Sequence, residues 1–202
     1  YYLGAYWGSR RETAASCAHR AAAMMRRLAA QDSLFERWYY FLGTEGPLEF
    51  RPDEATLARL LEAGRARRDD NGRVIDEAGF TQGFRAADAR GRHARFTLGC
   101  GIHDVPRLSN ACVLDLPNTE SDDSRFLRHG MLRQLMAIVV EVWSPTWAAV
   151  ISRAYQATAP RRPAGSPNVG WLTYFARDAS SFPSLPTPAR VEAFDEHGAL
   201  VV

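Results

Sequence analysis

Between Ser124 and Pro145, the apolar residues Leu132, Leu135, Met136, Val139, Val140 and Trp143 recur at the three-and-four spacing of one helical face. A stripe of this kind has to lie on an apolar surface of comparable length, so the rest of the chain must supply one. Ser144-Pro145 marks its end, because the residue before a proline avoids helical backbone. A second helix is expected over about Arg11 to Ala30. Ala14, Cys17, Ala18, Ala21, Met25 and Leu28 take its apolar side, and Arg20, Arg26 and Arg27 its wet side. The Gly8-Ser9 turn before it reads as a cap, with Ser9 accepting from the first turn.

The surface for these helices comes from short aromatic and β-branched runs. YYLGAYW, FERWYYFLG, ARFTLGCG, ACVLDLP and VGWLTYFA each read as a strand. Trp147, Ala149 and Ile151 alternate, which favours a strand over residues 146–155. ARVEAF and ALVV flank Asp195-Glu196-His197-Gly198 as a terminal hairpin. A shorter helix starts at Pro52-Asp53, passes through Leu57, Leu60 and Leu61, and stops at Gly64. RARRDDNGR is a polar turn, and residues 73–93 carry too little apolar periodicity to read as more than a loop with one short element. Strands at both ends with two long helices between them predict one α+β domain over residues 1–202, a largely antiparallel β-sheet with two or more helices packed on one face.

Composition narrows the function classes. No apolar run approaches the roughly 18 residues of a membrane span, and no basic segment leads into an apolar run at the start, so neither a membrane anchor nor a secretory signal is expected. The net charge of +2 and pI of about 8.6 are far from those of a nucleic-acid-binding surface. The short clusters Arg65, Arg67, Arg68 and Arg161, Arg162 do not extend along a face. All 25 basic residues are arginine. Cys17, Cys100 and Cys112 follow no metal-ligand spacing and read as reduced, buried thiols of a cytoplasmic protein; a Cys100–Cys112 disulfide stays open.

The enzyme-like stretches can each be weighed chemically. GAYWGSRR lacks the lysine and the spacing of a phosphate loop. GCGIHD places Cys100, His103 and Asp104 together, the residue types of a nucleophile, its base and an orienting carboxylate, with His93 as the one further metal ligand nearby. Three residues apart at a strand end, those side chains need not converge, so a cysteine- or metal-dependent hydrolase is the alternative rather than the leading reading. Asp69, Asp70, Asp76 and Glu77 form one acidic cluster, and Glu120, Asp122 and Asp123 another. Hard oxygen ligands of this type can hold Mg²⁺, decorate solvated loops, or present an anionic patch to a basic cleft on another protein. No catalytic residue, metal or cofactor is assigned.

Tyr6, Trp7 and Arg10 in AYWGSR, Cys17 in the first helix, Trp38, Gly99, Cys100 and Gly101 in LGCG with Asn110 beyond, Trp143 and Trp147 in WSPTW, and Trp171 in GWLTY occur in an order and spacing that resembles the immunity protein 52 family of bacterial polymorphic toxin systems. The resemblance implies a cytoplasmic antitoxin without catalytic activity. It implies a partner, a cognate secreted toxin that usually carries a restriction-endonuclease-like nuclease domain and is exported by contact-dependent routes such as type VI secretion. A basic nuclease cleft makes Asp69, Asp70, Asp76, Glu77, Glu120, Asp122 and Asp123 the first residues to expect at the interface, with neither nucleic acid nor membrane as a further partner. Arg10 is expected to pair with a carboxylate, inside the fold or at the interface.

Overall fold

A computed structural model describes residues 1–41, 46–106, 108–117, 124–159, 166–194, 196 and 198–202. Its frame is a ten-stranded sheet. The strands are β1 (Tyr2–Trp7), β2 (Trp38–Tyr40), β3 (Leu48–Phe50), β4 (Phe80–Ala87), β5 (His93–Cys100), β6 (Asn110–Asp115), β7 (Trp147–Ile151), β8 (Leu172–Phe175), β9 (Val191–Ala193) and β10 (Ala199–Val201). They lie in the order β3-β2-β4-β5-β6-β1-β7-β8-β10-β9, with each neighbouring pair antiparallel. The helices are α1 (Ala14–Ala29), α2 (Glu54–Ala63), α3 (His129–Trp143) and α4 (Arg153–Thr158).

The sheet sorts its side chains by the two-residue period. Leu3, Ala5 and Trp7 of β1, Phe96, Leu98 and Cys100 of β5, Cys112 and Leu114 of β6, and Ala148 and Val150 of β7 share one buried core with α1 and α3. Cys17, Ala18, Ala21, Met25 and Leu28 face it from α1, and Leu132, Leu135, Met136, Val139 and Trp143 from α3. Leu57, Leu60 and Leu61 attach α2 to the same core. This is the expected α+β arrangement. The intervening residues point to the other face, where Tyr2, Trp147, Ala149 and Ile151 form a second, smaller cluster with Tyr6, Val113 and Phe175 against it.

Four local expectations are corrected. α1 begins at Ala14, and its N-cap is Thr13, whose Oγ1 accepts from the Ser16 N–H at 3.1 Å; Ser9 accepts instead from the Asp104 N–H at 3.2 Å. Residues 80–87, read as loop, form the full-length strand β4, because pairing with β5 along its whole length compensates for its Gln82, Gly83 and Arg85. The aromatic strand after α1 is only Trp38–Tyr40, since Ser33–Phe35 is a turn of 3₁₀-helix capped by Asp32, whose Oδ1 accepts from the Leu34 N–H. Residues 153–155, the end of the strand expected over 146–155, instead open α4 (Arg153–Thr158), capped by Ser152. The acidic segment 118–123 with Glu120, Asp122 and Asp123, Arg161 and Arg162, and Asp195 and His197 of the terminal turn lie outside the described residues.

Candidate functional site

The YWGSR stretch at the end of β1 is a structural junction. Trp7 stacks on Trp143 with ring centroids 5.3 Å apart, and the Trp143 indole N–H points at Met24 Sδ, 3.2 Å away. Arg10 lies over the Trp7 ring, donates from Nε to Glu12 Oε2 at 3.0 Å, and donates from Nη1 to the Trp143 carbonyl at 3.1 Å. Arg20 pairs with the other Glu12 oxygen and donates to the Val142 carbonyl at 3.2 Å. Two guanidiniums bridged by one buried carboxylate thus bind the last carbonyls of α3, where the helix dipole favours positive charge. Arg10 therefore pairs inside the fold.

Asn110 ties the neighbouring loop to this junction. It is fully buried; its Oδ1 accepts from the Ile102 N–H at 2.9 Å, and its Nδ2 donates to the Ile102 and Gly8 carbonyls. The Arg10 N–H donates to the same Ile102 carbonyl. Gly101 takes a left-handed φ of 72°, with the Phe80 ring packed against it, and Asp104 turns the chain again at φ 53°.

Cys100 and His103 are each engaged by a different partner. Cys100 is fully buried and hydrogen-bonds Cys17; that bond, then burial, pushes its thiol well above the ordinary thiol range. His103 Nδ1 lies 2.9 Å from the Gly101 carbonyl. His93 opens the strand that Cys100 closes, so the length of β5 separates them. Cys112 is buried against Met24, and all three cysteines are free thiols, which settles the Cys100–Cys112 question against a disulfide. A neutral, sealed thiol has no route to a substrate.

The first acidic cluster divides. Asp69 and Asp70 are exposed in the turn between Arg67 and Val74, which are bridged across it. Asp76 is held by Arg65 at 2.8 Å and Arg11 at 3.3 Å, so it fastens α2 and the start of α1 to the segment before β4. Glu77 is exposed, and its backbone carbonyl accepts from the His103 N–H.

The remaining signature residues serve both sides of the sheet. Trp38 is buried and donates from its indole to the Phe35 carbonyl at 2.8 Å. Tyr6 stacks on Trp147 at 4.3 Å and lays its ring over Gly4 on the face away from α1 and α3. Gly99 lies on that face as well, where a Cβ would reach only the Ile102 Cδ1, 3.8 Å away. Trp171 is 54% exposed and leans on Tyr1 at 4.6 Å.

That second face also contains residues the sequence did not single out. Phe41, Arg85, His93, Arg95, Asp115 and Leu116 line an open cavity of about 390 Å³. Of these, the sequence marks His93 alone, and as a metal ligand. Arg85 was hidden inside a stretch read as loop, although the spacing of Phe80, Phe84 and Ala86 around it is the signal that marks the strand.

The architecture defines an antiparallel sheet with a helical layer on one face and a partly open second face. Its sequence matches Immunity protein 52 over residues 1–202, and the chain belongs to that family. Among solved structures it is similar to the T6SS protein PA0821 of Pseudomonas aeruginosa, with a TM-score of 0.51 at 10% identity. The alignment covers 99% of this chain and 64% of that one, and at this identity the likeness concerns the fold. No curated protein matches the chain.

Proposed function

We propose that this protein is a cytoplasmic immunity protein that binds a cognate secreted toxin, a nuclease of the restriction-endonuclease-like type, and neutralises it without catalysis of its own. The observation that carries this reading is the family match over the whole chain. The full burial of Cys100 and its bond to Cys17 support it, because the best alternative needs that thiol as a nucleophile. The solved neighbour is named as a T6SS protein, which is in keeping with a toxin delivered by that route. No helix among the described residues is long and apolar enough to cross a membrane.

Such a partner sets physical demands. Nuclease–immunity pairs reach dissociation constants of about 10⁻¹³ M, and an interface of roughly 1,600 Å² with a few aromatic or arginine anchors is ordinary for the task. Asp69, Asp70 and Glu77 are the exposed carboxylates of the first acidic cluster and offer one complement to a basic cleft. Asp76, engaged by two arginines, contributes there chiefly by holding the segment in place. Glu120, Asp122 and Asp123 offer the same charge from the second cluster.

Co-expression with the product of the neighbouring gene in a toxin-sensitive host tests the reading. Survival together with a one-to-one complex is the expected result. Continued killing and separate elution, repeated with other candidate toxins, would refute it. Turnover lost in a folded Cys100→Ser variant would instead favour the hydrolase.

A further inference from the structure

On the face of the sheet turned away from α1 and α3, the register places Glu49, Tyr39, Arg85, Arg95, Asp115 and Tyr2 in one row across five neighbouring pairings. Arg85 and Arg95 stand directly opposite each other. Like charges at such a pair, with Cβ atoms about 5 Å apart, destabilise a sheet unless something neutralises them. Both carboxylates of the row are already engaged. Arg37 holds Glu49 through Nε at 3.0 Å and Nη2 at 2.5 Å, and Arg153 of α4 holds Asp115 through both Nε and Nη2. Arg85 and Arg95 have no ion-pair partner among the described residues, and Arg85 Nε is buried without a hydrogen bond.

This unneutralised pair lines the cavity of about 390 Å³, with His93 beside it and the apolar side chains of Phe41 and Leu116 completing the wall. Phe41 is 47% exposed. Beside the row the face is low: Gly83 pairs with Thr97, and Gly99 with Ala111, and a Cβ on Gly83 would meet nothing within 4 Å. A protruding partner element can therefore lie flat here and direct a side chain into the cavity. A forked guanidinium pair with an apolar wall recognises a carboxylate carried on a partly apolar segment.

We propose that the Arg85–Arg95 cavity is the seat of a carboxylate-bearing segment of the toxin, so that the interface is centred on the open sheet face and not on the acidic turn at Asp69 and Asp70. This rests on the immunity reading above and names the surface and the chemistry of the partner. Retention of a like-charged arginine pair, with the Arg85 Nε buried and unbonded, is the local cost in the free protein of a site completed by its ligand.

The test is calorimetric titration of the full-length protein with the purified toxin domain that rescues in co-expression. Arg85→Glu/Arg95→Glu is expected to weaken the complex by roughly 100-fold or more, mainly through faster dissociation. Arg95→Gln is expected to weaken it while leaving the melting temperature unchanged or raised, because it relieves the repulsion; a merely structural role for Arg95 would lower it. A carboxylate-to-arginine change in the toxin that restores binding to Arg95→Glu would identify the seated residue. Affinity unchanged within about twofold in the double variant, with binding lost in Asp69→Arg/Asp70→Arg, overturns the proposal and leaves the immunity reading standing. A wild-type protein that neither rescues nor binds refutes the immunity reading itself, and this proposal with it.

Discussion

Arg10 Nη1 donates to the carbonyl oxygen of Trp143 at 3.1 Å, joining the loop after the first strand to the end of α3 across 133 positions of sequence. The same guanidinium covers Trp7, which stacks on the Trp143 ring, so one contact sets both the axial position of α3 and its rotation on the sheet. Ser144, which ends that helix with φ 48°, leaves its last carbonyls open to such donors.

Arg10→Met keeps the stem over Trp7 but removes the donors to Glu12 and to the helix end. A nearly buried Glu12 then depends on Arg20 alone. A loss of about 2–3 kcal/mol is expected in urea unfolding. Arg10→Lys should recover only part of it, because one ammonium cannot span both acceptors while lying flat on the indole.

Asn110→Leu conserves volume and removes three hydrogen bonds, leaving the Ile102 N–H without its acceptor. The expected cost is about 3 kcal/mol or more. Hydrogen exchange should localise the effect, with the Ile102 amide losing protection while the β7–β8 pairing keeps it.

Cys17, Cys100 and Cys112 should not react with a thiol reagent in the native protein at neutral pH. Each is buried, and Cys100 and Cys112 are held well above the ordinary thiol pKa, Cys100 by its bond to Cys17 and then burial, Cys112 by burial. All three should label once the chain is unfolded in denaturant. Rapid labelling of Cys100 in the folded protein would reopen the hydrolase alternative.

Burial, with Tyr2 close by, pushes the Tyr6 phenol up to about 12 from the ordinary 10. The folded state thus holds this proton more tightly than the unfolded chain. Its contribution to stability is complete below pH 10 and is lost as the pH climbs through 12. Spectrophotometric titration should show Tyr6, and with it the buried Tyr2, ionising later than the exposed tyrosines, and Tyr6→Phe should flatten the alkaline fall in stability over that window.

Much of the fold was readable because periodicity is a local property. The stripe from Leu132 to Trp143 could only be a helix with one buried face, and the alternation of Trp147, Ala149 and Ile151 marked β7 correctly. Asp53 and Gly64 bracketed α2 as cap and stop. β4 escaped because its outward positions hold Thr81, Gly83 and Arg85 and its inward ones include Gln82, so partnership with β5 makes the strand and its own residues do not announce it. Ser9 and Thr13 are equally good caps by residue type; the pairing of Ser9 with Asp104, 95 positions away, left the role to Thr13.

By itself, then, the sequence determined the fold class, the buried stripes and the family, since each depends on residue types repeated at short spacing or in a set order. Only the tertiary structure decided what Arg10, Cys100 and Asp76 do, and it alone set Arg85 against Arg95 with both neighbouring carboxylates taken. A charge or a thiol acquires its chemistry from what surrounds it. Those surroundings are assembled from strands and helices tens of residues apart, whose register no local pattern records.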